Sequence, residues 1–131
     1  MNNNETITII AQAFYGNRTQ TTIRENELDR FILGYLSDSL SVSEKIDRTV
    51  VHIPNTDNLV IVYNKYEEES RRADKQIYWE SDGYELKPLA VIPQIGLEIY
   101  SRCIACRMNQ QGQFESLQEQ DYDLVMGYLA E

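Results

Sequence analysis

Apolar residues recur along the chain with two periods, and each period predicts a different kind of secondary structure. In residues 6–14, Ile7 and Ile9 alternate with threonines, and this period of two predicts a β-strand. Turn-forming residues at 15–17 separate this strand from residues 19–23, which predicts a β-hairpin. An amphipathic helix is then predicted by apolar residues at the spacing of one helical face, namely Leu28, Phe31, Ile32, Tyr35 and Leu36.

A second hairpin is predicted in the middle of the chain. Residues 47–53 and 59–66 are rich in valine and isoleucine, and the turn formers at 54–58 lie between them. The second of these strands is apolar on both faces, which predicts a central strand that is covered on two sides. The charged residues 67–76 predict either an exposed loop or a short surface helix.

A third hairpin is predicted around the turn signal at residues 81–83. The flanking residues 77–79 and 84–86 are rich in aromatic and aliphatic side chains, which suit strands. Residues 89–92 lie between two prolines and fit either an edge strand or a buried loop.

The C-terminal part of the chain is similar to the N-terminal part. Residues 97–108 and 113–117 predict a hairpin, and residues 119–129 predict a helix with Gly-Tyr-Leu near its end, as in the first helix. The order of strand, turn, strand and helix therefore predicts a pseudo-repeat with units at 5–38 and 97–131.

Two helical glycines, Gly34 and Gly127, lie at matching places in these units. A glycine inside a helix costs about 1 kcal/mol relative to alanine. We therefore expect a neighbouring element to approach both helices closely at these positions.

The elements together predict an α+β fold, a mostly antiparallel sheet of hairpins with two main helices packed on it. A chain of 131 residues fits a single domain over residues 1–131. Residues 1–4 are polar and expected to be disordered.

The charge balance narrows the classes of partner. With 12 basic and 21 acidic residues, the net charge of −9 disfavours direct binding to nucleic acid or to an anionic membrane. The chain shows neither a membrane-length apolar run nor a secretory signal pattern. Together with only two cysteines, this predicts a cytoplasmic protein.

The spacing Cys103-x-x-Cys106 is the one recognisable motif, and it is weak evidence for a redox or metal site. A structural zinc site normally needs a second pair of ligands, and the chain offers only His52 in addition. The surrounding residues predict a strand, in which positions 103 and 106 point to opposite faces. Buried structural cysteines are therefore the favoured interpretation, and a redox pair supported by nearby arginines remains the alternative.

No catalytic or cofactor motif is present. The sequence lacks phosphate-binding glycine loops, a nucleophile elbow and zinc-protease motifs, and its six glycines are scattered. His52 lies in a predicted strand and is expected to face solvent or a hydrogen-bond partner. We therefore expect a protein that is not an enzyme and has no cofactor.

An interaction surface is the remaining functional expectation. Aromatic side chains are enriched where proteins bind proteins, and acidic side chains suit a basic partner. The candidate surface comprises Tyr78, Trp79, Tyr84, Glu67, Glu68 and Glu69.

The sequence thus predicts a small acidic regulatory protein that contacts another protein, with a basic partner and a homodimer both compatible. Small acidic proteins without catalytic motifs are common among the accessory proteins of phages and mobile elements. That association rests on no residue match. The alternative is a redox or metal-binding protein that uses Cys103 and Cys106.

Overall fold

A computed structural model describes residues 5–13, 18–36, 48–56, 58–83 and 86–129, without the side chains of 77–82. It shows the predicted α+β class: an antiparallel sheet of six strands, with three helices in place of the two expected. The disorder predicted for residues 1–4 and the turn predicted at 15–17 lie outside the described residues. The strands are β1 (Thr6–Gln12), β2 (Arg18–Arg24), β3 (Arg48–His52), β4 (Leu59–Asn64), β5 (Ala90–Ile92), β6 (Leu97–Ile99), β7 (Cys103–Met108) and β8 (Phe114–Glu115), and the helices are α1 (Leu28–Leu36), α2 (Lys65–Asp82) and α3 (Glu119–Tyr128).

The main sheet has the strand order β2-β1-β7-β4-β3, with β8 paired to the end of β7. All of these pairings are antiparallel. Strand β7 is central, and its residues from Cys103 to Arg107 are all buried. The apolar strand β4 lies beside it, as the sequence predicted for a strand covered on both sides.

Each face of the sheet carries its own hydrophobic core. Helix α1 covers one face and presents Leu28, Ile32 and Leu36 to the sheet, which fulfils the predicted helical periodicity. Helix α3 and the separate hairpin of β5 and β6 cover the other face. The backbone bridge between Ala90 and Leu129 joins that hairpin to the end of α3.

Helix α2 replaces the third predicted hairpin. Residues 77–79 continue the helix, and Gly83 follows its last residue with φ 66°, the left-handed conformation typical of a glycine at a helix end. The residues at 81–83 do mark a change of chain direction, but they end a helix instead of joining two strands. The charged residues 67–76 form part of this helix, in keeping with one of their two predicted states.

The strand predicted over residues 97–108 is two strands in different sheets. Residues 97–99 form β6, which pairs with β5, and Cys103 begins β7 in the main sheet. The intervening residues 100–102 are buried and carry no strand pairing. Residues 89–92 were predicted as an edge strand or a buried loop, and the last three of them form strand β5.

A hairpin followed by a helix occurs at both ends of the chain, and α1 and α3 pack on opposite faces of the sheet. A common origin of the two units stays a prediction. No described element makes the close approach expected at the two glycines, because a Cβ atom added at Gly34 or at Gly127 meets no described atom within 4 Å.

Candidate functional site

A cluster of buried charges joins α2 to the segment at residues 100–102. Glu67 and Glu68 are only 4% and 6% exposed, although both belong to a strongly charged helix. One carboxylate oxygen of Glu68 accepts the backbone N–H groups of Tyr100 at 2.7 Å and of Ser101 at 2.9 Å. The carboxylate of Glu67 accepts the backbone N–H of Arg102 at 2.9 Å. The two side chains thus bind backbone donors that no strand partner satisfies.

The side chain of Arg102 completes this cluster. Its guanidinium binds Glu67 through two nitrogens, with Nε at 3.0 Å and Nη2 at 2.5 Å from Oε1. On the other side, Nε of Arg72 lies 2.7 Å from Oε2 of Glu68. Each buried carboxylate therefore has a guanidinium partner, which offsets the cost of removing its charge from water.

Tyr100 connects the buried cluster to the surface of α2. The guanidinium of Arg72 lies 5.1 Å from the centre of its ring, and Nζ of Lys75 lies 4.7 Å from the same centre. Nζ of Lys75 also donates to the Tyr100 hydroxyl at 2.7 Å, and that hydroxyl lies 3.2 Å from a carboxylate oxygen of Glu98. These contacts fix α2 along the hairpin of β5 and β6.

The structure corrects the candidate surface at residues 67–69. Glu67 and Glu68 are internal and bonded, so they are not available to a partner, whereas Glu69 is exposed. Tyr78 and Trp79 lie in α2, but their side chains are outside the described ones, and Tyr84 is outside the described residues altogether. The grouping of these aromatic side chains with Glu69 stays a prediction.

The two cysteines are free thiols on opposite faces of β7, as the period of two predicted. Cys103 packs in the core beneath α3, and Cys106 packs in the core beneath α1. Burial raises the pKa of each thiol to about 12, with nearby Glu68 and Glu67 adding to the rise at Cys103. Side chains that point apart across a sheet cannot form a disulfide with each other. A redox role for either thiol stays a prediction.

His52 lies on β3 and is exposed, as expected. Among the described residues, no group of three or more His, Cys, Asp and Glu side chains is placed to hold a metal ion. Within the same residues, no helix is long and apolar enough to cross a membrane.

A groove with a cavity volume of about 460 Å³ lies beside the start of α1. Its apolar lining comes from four strands and one helix, namely Ile7 of β1, Val50 of β3, Met108 of β7, Phe114 of β8 and Leu28 of α1. Its charged lining is formed by Glu25, Asp29 and Arg48. We call this feature the α1 groove.

Arg48 spans the α1 groove. Its guanidinium lies 5.7 Å from the centre of the Phe114 ring, and its Nη1 lies 3.5 Å from Oδ1 of Asp29. Strands β4 and β7 separate β3 from β8 in the strand order, so the sheet must curl around α1 for these two residues to meet. No sequence motif links residues 29, 48 and 114, and only the curl of the sheet brings them together, so the pattern along the chain does not reveal this site.

Comparison with protein-family models, with curated proteins and with solved structures gave no match.

Proposed function

We propose that the chain is a non-enzymatic regulatory protein of the cytoplasm that acts by binding a basic partner protein. The observation that carries this proposal is the division of charge between the interior and the rest of the chain. Three buried carboxylates, those of Glu67, Glu68 and Asp121, are each paired with an arginine; the partners of Glu67 and Asp121 are buried, and the partner of Glu68 is 46% exposed. Without these pairs, 18 of the 21 acidic residues and 9 of the 12 basic residues remain, a ratio of two to one.

Three of the exposed acids lie at the start of α1, between Arg24 and Arg30. Glu25, Glu27 and Asp29 are all exposed within five residues, and the side chain of Asp29 is 81% exposed. Exposed carboxylates attract a basic surface and speed its association. The same acids also suit the positive end of a helix dipole, so their position serves the fold as well as the proposed binding.

The proposal is tested by capture from a native lysate on the immobilised full chain, followed by binding measurements with the purified captured protein. We expect a partner with a basic isoelectric point whose affinity falls as salt rises. The physical reason is the Debye length, which shortens from about 10 Å at 0.1 M salt to about 3 Å at 1 M.

The matching test variant is the double substitution Glu25→Gln, Glu27→Gln, which removes two exposed charges and no core contact. It should bind the partner more weakly and with a smaller salt dependence than the wild-type chain. Affinity that does not change between 0.1 M and 1 M salt would contradict the proposal.

A further inference from the structure

We infer that the α1 groove is the docking site for an arginine side chain of the partner, carried on a segment with a neighbouring apolar side chain. This inference rests on the proposed function and makes it specific, since it names the place on the surface and the chemistry of the partner's contact. It starts from what the groove already holds, which is a guanidinium of this chain.

Arg48 shows which chemistry the groove accepts. Its guanidinium lies over the ring of Phe114 and near the carboxylate of Asp29, so an aromatic face and an anion converge on one position. Arginine binds such sites well, because its planar cation stacks on rings while its N–H groups meet carboxylates. A second carboxylate, that of Glu25, lines the same groove.

The internal occupant is held weakly enough to be displaced. The side chain of Arg48 is 37% exposed and that of Asp29 is 81% exposed, so water screens the ion pair. Surface ion pairs and exposed cation–π contacts of this kind are weak. Arg48 also belongs to β3, which ends the strand order of the main sheet among the described residues, so its side chain can move without disturbing a central strand.

The floor of the groove supplies the apolar part of the recognition. Val50 and Met108 are partly exposed within it, and the Phe114 ring is partly exposed as well. An apolar side chain adjacent to the partner's arginine would cover these surfaces and gain the free energy of removing them from water. A basic segment without such a residue should therefore bind less tightly than one that carries it.

The opposite side of α1 provides an internal comparison. A second, more open groove is lined by Thr22, Ile23, Arg24, Glu27, Arg30 and Phe31. It also has an aromatic ring and a carboxylate, but two arginines flank them, and these would repel an incoming cation. Of the two grooves, only the α1 groove has an excess of carboxylates.

The first test pans a displayed library of random twelve-residue peptides against the folded full-length chain. We expect enriched peptides to carry arginine next to an apolar residue. A synthetic version with citrulline, the neutral analogue of arginine, should bind at least about tenfold more weakly. Enrichment of peptides without arginine, equal binding of the citrulline peptide, or no enrichment at all would each overturn the inference.

The second test measures the affinity of the enriched arginine peptide for four variants. Asp29→Asn should lower the affinity about fivefold, whereas Asp123→Asn, the same change at an exposed site on α3, should leave it within about twofold. Arg48→Ala should raise the affinity, because it empties the position between Phe114 and Asp29. Arg30→Ala is its matched control, with an equal charge change on the other side of α1, and should raise the affinity less.

The outcomes separate the two levels of the proposal. Equal effects of Arg48→Ala and Arg30→Ala, or of Asp29→Asn and Asp123→Asn, would reject the groove while leaving salt-dependent binding to a basic partner intact. Absence of salt-dependent binding to any captured partner would reject the proposed function itself. All four positions are exposed, so the variants should keep the fold, and their melting temperatures check this.

Discussion

At the scale of single residues, Asp121 is a buried acid that bonds to two elements of the fold. It is 3% exposed, and its carboxylate binds Arg107 of β7 through two contacts, at 2.6 Å and 3.1 Å. The same carboxylate accepts the backbone N–H of Gln118 at 2.7 Å, which caps the first turn of α3. One side chain thus fixes both the start of α3 and its attachment to the central strand.

Removing this carboxylate should destabilise the fold strongly. We expect Asp121→Asn to lower the free energy of unfolding by about 3 kcal/mol, because the buried Arg107 loses its counter-charge. Asp123→Asn, an exposed change two residues along the same helix, should alter it by less than about 0.5 kcal/mol. Denaturant unfolding of both variants measures the difference, and equal stabilities would refute this role of Asp121.

The same residue makes stability depend on pH. Burial raises the pKa of Asp121, but the hydrogen bonds from Arg107 and Gln118 and the charge of Arg107 outweigh it, so the pKa is lower than usual. The carboxylate therefore stabilises the fold above the ordinary aspartate pKa of about 3.9, and this contribution is lost as pH falls through the lower folded value. The unfolding free energy of Asp121→Asn should accordingly vary less with pH in acid than that of the wild type.

Part of this structure at the scale of single residues could be predicted from the sequence alone. The opposite orientations of Cys103 and Cys106 followed from the period of two in a strand. The helix predicted over residues 119–129 places Asp121 in its first turn, but it does not reveal the partner Arg107, which lies 14 positions earlier on a different element. Contacts of that kind depend on how elements pack, and no local pattern encodes them.

At the scale of elements, α2 explains where the sequence-based prediction failed. Its inner stripe begins with the buried Glu67 and Glu68 and continues with the half-buried Arg71, Asp74 and Lys75. Hydrophobic periodicity finds helices whose buried side is apolar, whereas over residues 65–76, the part of α2 whose side chains the structure describes, the buried side is charged. The contacts of Glu67 and Glu68 with residues 100–102 stabilise this part of the helix.

Asn64 sets the start of this helix and links it to α1. Its side-chain oxygen accepts the backbone N–H of Tyr66 at 2.9 Å, and its amide donates to the carbonyl of Leu36, the last residue of α1, at 3.3 Å. Because Asn64 is fully buried, Asn64→Ala should lower the free energy of unfolding by about 2 kcal/mol. Asn64→Asp keeps the oxygen that accepts from Tyr66 and loses the donor to Leu36. Denaturant unfolding of both variants therefore separates the contribution of the helix cap from that of the hydrogen bond to α1.

At the scale of the whole molecule, the α+β class and most strands followed from the two periods of the hydrophobic pattern. The curl of the sheet did not follow from this pattern, because it arises from the combined twist of the strands and from their packing against α1. The α1 groove is a product of that curl. Its residues could therefore be interpreted as a site only after Arg48, Asp29 and Phe114 were found together.

The thiols of Cys103 and Cys106 point to opposite faces of β7, so each reports on one of the two layers that cover the sheet, the layer of α3 and the layer of α1. Thiolate is the reactive form, and with pKa values of about 12 neither thiol should be alkylated at pH 8 while its layer stays closed. Mass spectrometry of each cysteine during slow alkylation then measures the opening of each layer: Cys103 reports on α3 and Cys106 on α1. Equal labelling rates would mean that both layers open only in global unfolding. Faster labelling at Cys106 would mean that α1 detaches first. The second outcome is expected if partners bind in the α1 groove by moving that helix.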